Sequence, residues 1–407
     1  MIIYNLSDSY GNFLFEKDIK LTLTEKVEIA ISHSLYHYLT TSKQRIDNNV
    51  EEWDFFKKIT NPYEFIHTPP HNSMRAVADY SAISRSFYKL IEIVTNYEML
   101  DKFNFPLHSF HLAEGPGGFI EAMVYMRKNR SDIYYGMTLI SDKRNIPKWN
   151  KLRNKFKFNQ SLRFEYGATN TGDLLHPDNF SKCVNQFKNS MDFMTGDGGF
   201  DFSIDYEKQE VFSTKLIFAQ IAYAILMQKK NGDFVLKIFD IFYNSTIQLL
   251  YLLNLFYEDV SICKPKTSRF ANSEKYVVCK NFKHEDTLIY FNPFLKIFNE
   301  MFENPNLCIS SIFNFNIPLS FVREIEELNC IFGKKQLNTI HNTLMMIQEQ
   351  RNDKIEKLRK GNIEKCVQWC LKNNLPCHHQ FKPKNIFSKQ VYKNKEISNN
   401  VIKLNNL

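Results

Sequence analysis

In the middle of the chain, short continuous apolar runs alternate with stretches whose apolar residues have helical spacing. Short apolar runs that are typical of buried strands occur at residues 108–113, 133–139, 164–167, 191–196 and 232–239. Stretches with the spacing of amphipathic helices stand around them, at residues 80–100, 117–128, 205–229 and 245–255, with a short one after Pro177. Strands and helices that alternate in this way predict a Rossmann-like, doubly wound α/β fold with a mostly parallel sheet.

Two further strand-like runs close this region, at residues 259–264 and 275–280. Parallel neighbours need a long crossover connection, whereas antiparallel neighbours can follow each other closely along the chain. The short spacing of these two runs therefore predicts an antiparallel pair at the edge of the sheet.

The segments on either side have other patterns. Residues 1–75 mix strand-like and helix-like patches, which predicts an N-terminal mixed α/β extension before a main domain at 76–285. Residues 286–380 predict a helical C-terminal region. Its amphipathic stretches lie at residues 319–329, 335–359 and 362–373. Residues 381–407 carry six lysines against one glutamate, so this tail is either a partly disordered end or a contact for an RNA backbone.

Composition narrows the class of protein. A chain of 407 residues with 14% aromatic residues can bury a large core, which excludes a mostly disordered protein. The formal net charge of +8 permits an anionic partner such as nucleic acid. The most apolar windows, residues 216–227 and 246–257, are too short to span a bilayer, and the N-terminus lacks the pattern of a signal peptide. We therefore expect no membrane association.

The eight cysteines are scattered, which favours buried thiols in a reducing compartment over a disulfide framework. One cluster brings Cys366 and Cys370 close to Cys377 and the two histidines that follow it. Thiolates and imidazoles are zinc ligands. However, Cys366 and Cys370 are also one helical turn apart, as two core thiols would be. The cluster is either a zinc site or part of a core.

A glycine-rich corner follows the first strand of the main domain. The sequence Ala113-Glu-Gly-Pro-Gly-Gly-Phe119 separates the apolar run from the helix that comes next. Glycine permits a tight turn and a close approach of the backbone to a ligand, and the helix start offers free N–H groups. Doubly wound sheets bind cofactors at corners of this kind. The corner is a candidate cofactor site, although the same turn also serves as a plain connection.

Ionisable residues interrupt three other apolar strands near their ends. Asp197 follows the run at 191–196, Lys237 stands within an otherwise apolar run, and Glu274 precedes the last strand. Lysine is almost never fully buried without a partner, and the strand ends of a doubly wound sheet are where ligand-binding groups collect. Each residue alone is typical of a surface charge, but together they predict a catalytic centre.

These blocks resemble a known family. Residues 84–92, 113–119, 196–200, 234–239 and 264–279 occur in the order found in FtsJ-like (RrmJ-like) RNA ribose 2′-O-methyltransferases, and residues 136–139 and 172–177 add to the match. Within that family, the chain is most similar to the cap-specific mRNA (nucleoside-2′-O-)methyltransferases. The resemblance runs from Tyr80 to Phe282, with one departure at Phe270, where cap-type relatives usually carry proline.

The resemblance implies a set of site residues. The family's Lys-Asp-Lys-Glu tetrad falls on Lys89, Asp197, Lys237 and Glu274, with Lys237 as the proton acceptor. The implied cofactor is S-adenosyl-L-methionine, and Asp173 is the candidate for its adenine edge. The full set of implied cofactor-binding residues is Ala113, Glu114, Gly115, Pro116, Gly117, Gly118, Phe119, Asp173 and Asp197.

The resemblance also implies a substrate and a reaction. We expect methyl transfer to the ribose 2′-hydroxyl of the first transcribed nucleotide of capped mRNA. The implied RNA contacts are Lys264, Lys266, Arg269, Asn272 and Ser273, although the basic residues among them are equally typical of solvated surface charges. Two alternatives stay open. One is the same chemistry on another RNA, such as ribosomal RNA or the second cap-proximal nucleotide, and the other is a non-catalytic RNA-binding subunit that keeps the fold.

Partners and location are expectations of the same kind. We expect the C-terminal helices to offer a docking surface for capping or transcription machinery. The composition is rich in Lys, Asn and Ile, which suggests an AT-rich genome. The protein is then expected in the cytoplasm if it comes from a large DNA virus and in the nucleus if it is cellular.

Overall fold

The computed structural model describes residues 1–7, 14–70, 73–141, 148–157, 159–199 and 208–381. The strands are β1 (Ile2–Asn5), β2 (Ile19–Thr24), β3 (His108–Leu112), β4 (Ile133–Met137), β5 (Leu162–Glu165), β6 (Met191–Gly196), β7 (Gln228–Ile238), β8 (Tyr257–Lys264), β9 (Lys275–Phe282) and β10 (Cys308–Phe313). The helices are α1 (His33–Asp47), α2 (Val50–Thr60), α3 (Ser86–Tyr97), α4 (Gly118–Arg127), α5 (Asn150–Lys155), α6 (Pro177–Phe187), α7 (Gln209–Met227), α8 (Asn244–Phe256), α9 (Phe291–Glu303), α10 (Leu319–Glu349) and α11 (Asn352–Lys372).

The main sheet has eight strands in the order β1-β8-β9-β7-β6-β3-β4-β5. Strands β7, β6, β3, β4 and β5 are parallel to their neighbours in this row. Strand β9 lies between β7 and β8 and is antiparallel to both. The predicted mostly parallel sheet and the predicted antiparallel pair are therefore confirmed.

The predicted position of that pair was wrong. The edge of the sheet is formed by β1, which pairs antiparallel with β8 from Ile2↔Lys264 to Asn5↔Ser261. Sequence periodicity could not show this, because four residues at the chain start are too few to establish an alternation. The N-terminal segment thus completes the main sheet.

Helices cover both faces of the sheet. Successive side chains in a strand point to opposite faces, and in β7 the side chains of Phe234 and Leu236 join one core while that of Val235 joins the other. The first core contains α6, α7 and α8, and the second contains α3 and α4. Helix α7 is long and apolar enough to cross a membrane by length and composition, but 78% of its most apolar window is buried inside the fold.

The flanking segments pack against each other as well as against the main domain. Strand β10 pairs antiparallel with β2, far away in the sequence, so the region 286–380 is not purely helical as predicted. The stretch predicted at 319–329 and most of that predicted at 335–359 form one continuous helix, α10, which ends at Glu349. Residues 352–359 belong instead to α11, together with most of the stretch predicted at 362–373. Gly333 does not break α10. A Cβ there would lie 2.8 Å from the Leu35 side chain of α1, so the glycine is a packing position inside the helix.

The cysteine cluster lies in the second core. Cys366, Cys370 and Cys377 are all buried there. Within the part of the chain that the structure describes, no group of three His, Cys, Asp or Glu side chains is arranged to hold a metal ion. The burial of all three thiols in a hydrophobic core supports the interpretation as core thiols. The predicted tail from residue 382 onward lies outside the described residues.

Candidate active site

Three strand ends and one helix bring the predicted tetrad together. Asp197 follows β6, and its N–H donates to the carbonyl of Leu112 at the end of β3 (3.2 Å). Lys237 in β7 pairs in register with Tyr276 of β9, two residues after Glu274. Lys89 projects from α3. The four side chains form two ion pairs, Lys89 with Glu274 and Lys237 with Asp197.

The first ion pair uses both carboxylate oxygens. The Lys89 Nζ lies 2.7 Å from Glu274 Oε1 and 2.8 Å from Oε2. The Ser268 hydroxyl donates a third hydrogen bond to Oε1 (2.8 Å). Burial alone would raise the pKa of Glu274, but the charges of Lys89 and Lys237 outweigh it and hold the pKa below its usual range. Glu274 is therefore a carboxylate at neutral pH.

The second ion pair also includes a backbone contact. The Lys237 Nζ donates to the Asp197 carbonyl oxygen (2.6 Å) and lies 3.2 Å from its Oδ1. Gly199 leaves room for this amine, because a Cβ at position 199 would lie 3.1 Å from Lys237 Nζ. The glycines after Asp197 are thus explained in part by the space that the lysine needs.

Tyr276 is a site residue that the sequence analysis missed. Its hydroxyl donates to Asp197 Oδ1 (3.3 Å), and the Lys89 Nζ lies 6.0 Å from the centre of its ring. Tyr276 therefore contacts one member of each ion pair. Residues i and i+2 of a strand share a face, so its position two residues after Glu274 was the available signal.

The predicted role of Lys264 in RNA binding is contradicted by its burial. Its side chain is buried, with 4% of the residue exposed. Its Nζ donates to the backbone carbonyl and the Oδ1 of Asn272 (both 2.8 Å) and to the carbonyl of Glu274 (2.6 Å). Burial lowers the pKa of this amine. Lys264 holds the backbone on either side of Ser273 and so fixes the position of Glu274.

The other predicted RNA contacts have different surroundings. Ser273 is buried and donates to Gln209 Oε1 (2.7 Å), while Asn272 is exposed. Lys266 is half-buried, with its Nζ 5.3 Å from the centre of the Tyr63 ring. Arg269 donates through Nε (3.0 Å) and Nη2 (2.6 Å) to the buried carboxylate of Glu64. The Glu64–Arg269 pair was not foreseen, because the two residues are 205 positions apart.

The glycine corner is built as predicted, from a strand end and a helix start. Gly117 caps α4 with a φ of 111°, in the region that favours glycine. Its missing side chain also serves packing, since a Cβ would lie 2.7 Å from Leu152. At Gly118 a Cβ would lie 2.2 Å or less from the hydroxyls of Ser84 and Ser86. Both glycines are required by neighbouring side chains, whatever ligand the corner binds.

Glu114 carries the feature of this corner that points to a ligand. One of its carboxylate oxygens, Oε1, accepts from the N–H of Phe119 at the start of α4. The other, Oε2, is buried and has no hydrogen-bond partner among the residues that the structure describes. Burial raises the pKa of Glu114 well above its usual value, and the charge of Asp197 adds to the effect. A buried oxygen without a partner is costly, so this acceptor suits an N–H or O–H donor of a bound molecule.

The loops after β3, β4 and β5 touch one another along this edge. The N–H of Gly115 donates to the Thr138 hydroxyl (3.2 Å), and that of Ile140 donates to the carbonyl of Thr171 (2.7 Å). Asp173 follows Thr171 and is half-buried, with its Oδ1 accepting from the N–H of Leu175 (2.9 Å). The predicted adenine residue therefore lies on the same edge of the sheet as the glycine corner.

A cavity of about 520 Å³ opens on the other side of the tetrad. Its lining includes Gly199, Lys237 and Glu274 together with Arg269 and Asn272. The site thus has two sides. The glycine corner, Glu114 and Asp173 form one, the cavity forms the other, and the two ion pairs lie between them.

Three comparisons with known proteins bear on this geometry. The sequence model of the FtsJ-like methyltransferase family matches residues 82–282. The cap-specific mRNA (nucleoside-2′-O-)-methyltransferase 2 of Danio rerio is 28% identical over 366 residues, which are 82% of this chain and 46% of the relative. The cap-specific mRNA (nucleoside-2′-O-)-methyltransferase 1 of the same organism is 30% identical over 301 residues, 68% of this chain and 34% of the relative. The chain spans less than half the length of both relatives.

Among solved structures, a Plasmodium falciparum protein described as a ribosomal RNA methyltransferase is similar at 21% identity and a TM-score of 0.36. The match covers 49% of this chain and 97% of that one.

Proposed function

Residues 82–282 belong to the FtsJ-like methyltransferase family, and on that premise we propose that the chain methylates the ribose 2′-hydroxyl of capped mRNA with S-adenosylmethionine as methyl donor. The proposed acceptor is the first transcribed nucleotide. The observation that carries the proposal is the convergence of Lys89, Asp197, Lys237 and Glu274 into two ion pairs at the carboxyl edge of the sheet. The similarity to curated relatives named for this reaction supports the substrate.

The reaction requires two contributions from the protein. S-adenosylmethionine, when bound, supplies an electrophilic methyl group on a sulfonium. The protein must align the ribose oxygen with that methyl carbon, and it must take up one proton. Alignment of bound reactants accounts for much of the rate gain in such displacements. In the overall step the O–H bond of the ribose breaks, a C–O bond forms, and the methyl–sulfur bond breaks.

Lys237 is the group proposed to take the proton. Its side chain lines the cavity, and its Nζ is held by Asp197 through both the carbonyl and the carboxylate. A lysine accepts a proton only in its neutral form, and becomes a cation that stabilises negative charge at the attacking oxygen as the proton arrives. General-base catalysis of this kind contributes about 10²–10⁴-fold.

Lys89 and Glu274 are proposed to fix the site around that amine. The Glu274 carboxylate interacts with both lysines, so it joins the two ion pairs into one group. The bidentate contact with Lys89 and the hydrogen bond from Ser268 hold the carboxylate in a single orientation. A residue that is positioned by several fixed contacts keeps the reacting groups in a productive geometry.

The cofactor assignment rests on the family and on the glycine corner. The buried Glu114 Oε2 lacks a partner among the described residues and suits a donor group of the methionine or ribose part. Asp173 lies further along the same edge and suits the exocyclic amine of adenine. The residues proposed to hold S-adenosylmethionine are those of the corner from Ala113 to Phe119, with Asp173 and Asp197.

The proposal is tested by transfer of radiolabelled methyl from S-adenosylmethionine to a short cap-0 RNA. Digestion of the product identifies the methylated nucleotide. Label at the 2′-oxygen of the first transcribed nucleotide supports the full proposal. Label at the second nucleotide changes the position only, which matters because the relatives carry both the numbers 1 and 2 in their names. Absence of S-adenosylmethionine binding would favour a non-catalytic subunit instead.

We also propose that the C-terminal helices contact capping or transcription machinery. The proposed location is the cytoplasm for a protein of a large DNA virus and the nucleus for a cellular one.

A further inference from the structure

The cavity beside Lys237 has an outer wall from outside the FtsJ-like region. Residues of α2 and of the turn after it, including Trp53, Lys57 and Asn61, line one part of this wall. Gln336 and Thr339 of α10 line another part. Both helices lie outside residues 82–282, the part of the chain that matches the family model. The segments flanking the domain therefore complete the chamber next to the proposed acceptor position.

This outer wall is firmly attached to the domain. The apolar side chains of α2 and α10 form one buried cluster, which includes Trp53, Phe56, Ile59, Ile340, Leu344 and Ile347. The hydroxyls of Thr60 and Thr343 lie 2.8 Å apart across the two helices. The Gln336 side chain donates to the carbonyl of Ala271, in the loop that leads to Glu274 (3.0 Å). The wall and the catalytic loop are thus held in a fixed relation.

The wall offers contacts for both a phosphate and a base. The Lys57 side chain is 23% exposed and is ion-paired with Asp54, whose side chain is 65% exposed and easily solvated. The Oδ1 of Asn61 is buried and has no hydrogen-bond partner among the described residues, while its Nδ2 donates to Glu64 (2.7 Å). A buried acceptor without a partner is expected to be satisfied by a ligand or by water.

The remaining lining residues limit the kind of ligand. Phe270 and Phe239 add aromatic surface. Three more cations line the cavity, and each is paired with a carboxylate: Lys43, Lys237 and Arg269. Asp47 and Asp54 also line the cavity, so the attraction for anions is local to the cations and is not a property of the whole chamber. A ligand with a local anionic group, an aromatic part and N–H donors satisfies this arrangement. A nucleotide has all three.

We propose that this cavity is a nucleotide subsite for the RNA residue that adjoins the acceptor ribose. In this subsite Lys57 contacts a phosphate, and Asn61 Oδ1 accepts a hydrogen bond from an amino or imino group of the base. The volume of about 520 Å³ lies within the range of ligand pockets. The inference rests on the proposed function for the identity of the RNA, but its test measures binding.

The first test compares two adjacent lysines of α2. Lys57 lines the cavity, whereas Lys58 is exposed on the helix. Lys57→Ala should weaken binding of a capped RNA labelled at its 3′ end by about threefold to tenfold, and should lower the slope of log Kd against log salt by about 0.7. Lys58→Ala should change neither value. Equal effects of the two variants would overturn the subsite.

The second test fills the cavity without removing a charge. Thr339→Phe places a ring into the chamber, and Asn338→Phe places the same ring on an exposed position of α10. Thr339→Phe should weaken RNA binding at least tenfold while the Kd for S-adenosylmethionine and the thermal midpoint match those of Asn338→Phe. Unchanged RNA binding by a folded Thr339→Phe variant would contradict the proposal.

The RNA used distinguishes the two nucleotides that could occupy the subsite. If a cap joined to the first transcribed nucleotide alone shows the Lys57→Ala loss, the subsite holds the 5′ neighbour of the acceptor. If only a longer RNA shows it, with or without a cap, the subsite holds the 3′ neighbour. The two proposals can fail separately. If the wild type transfers no methyl while Lys57→Ala still binds RNA more weakly than Lys58→Ala, the proposed function is wrong and the subsite stands.

Discussion

Lys43 and Asp240 join the N-terminal helix α1 to the end of the strand that carries Lys237. The ammonium nitrogen of Lys43 lies 3.0 Å from Asp240 Oδ2. Burial alone would raise the pKa of Asp240, but Lys43 and Lys275 outweigh it and lower the pKa to about 2. Lys275 also donates to the carbonyls of Phe239 (2.9 Å) and Ser273 (3.0 Å). One half-buried carboxylate therefore connects α1 to the strand ends on both sides of the tetrad.

Removal of Lys43 should destabilise the fold. In Lys43→Met the half-buried Asp240 carboxylate loses one of its two cations, which should lower the free energy of unfolding by about 1–3 kcal/mol. Chemical denaturation measures the change. Arg45→Met, which removes an exposed cation from the same helix, should cost much less. The double variant Lys43→Met/Asp240→Asn should recover part of the loss, and a failure to recover would show that the charge pair is not the cause.

Lys237→Ala should abolish methyl transfer while the Kd for S-adenosylmethionine stays close to that of the wild type. The reason is that the side chain lines the cavity and contacts Asp197, and it is not part of the glycine corner. A loss of at least about 10²-fold in turnover is expected for a general base. Lys230→Ala on the same strand is the control, since its side chain is 49% exposed and pairs with Glu285. Near wild-type turnover of Lys237→Ala would remove this residue from the mechanism.

Gly199→Ala should lower turnover with little effect on stability. The new Cβ would lie 3.1 Å from Lys237 Nζ and 3.3 Å from its Cε, so the amine must shift by a few tenths of an ångström. Misplacement on this scale, well under 1 Å, should slow the chemical step by about tenfold. Gly361→Ala in α11 is the matched control, because a Cβ there meets nothing within 4 Å. Single-turnover kinetics would show whether the chemical step is the one affected.

The sequence predicted the core of this fold and three members of the candidate site, Asp197, Lys237 and Glu274, for physical reasons, whereas Lys89 was implied only by the resemblance to a known family. Parallel strands in the middle of a sheet are apolar on both faces, so they stand out as continuous runs, and Lys237 is conspicuous within such a run. The glycine corner is likewise a local signal, because it lies within a single turn between strand and helix. Features of this kind are set by residues that are close together in the sequence, so the sequence alone shows them.

What the sequence could not predict depends on distant contacts. The pairing of β2 with β10 and the ion pair of Glu64 with Arg269 join segments that lie far apart in the chain. The burial of Lys264 was also hidden, because a lysine next to a loop is usually solvated. Only the folded loop shows that three backbone and side-chain oxygens surround its amine.

Asp173→Ala should weaken S-adenosylmethionine binding more than it slows methyl transfer at saturating cofactor. The side chain lies in the loop between β5 and α6, on the edge that carries the glycine corner, and it belongs to neither ion pair of the tetrad. Asp173→Asn is the control for local structure, because its amide oxygen can still accept from the N–H of Leu175, as the carboxylate does at 2.9 Å. Isothermal titration gives both Kd values. An unchanged Kd in Asp173→Ala would refute the adenine role.

Glu64 gives a prediction for the pH dependence of stability. The carboxylate is fully buried, and burial alone would raise its pKa, but the hydrogen bonds from Arg269 and the charge of Arg85 lower it to about 2. A group whose pKa is depressed on folding stabilises the native state above its unfolded pKa of about 4.3 and loses that contribution as the pH falls toward the folded value. Glu64→Gln should therefore cost up to about 3 kcal/mol at pH 7, and the difference from the wild type should shrink between pH 4.5 and pH 2. Urea unfolding at pH 7, 5 and 3.5 measures this difference, and a gap that is constant across the series would show that the charge of Glu64 contributes nothing to the pairing with Arg269.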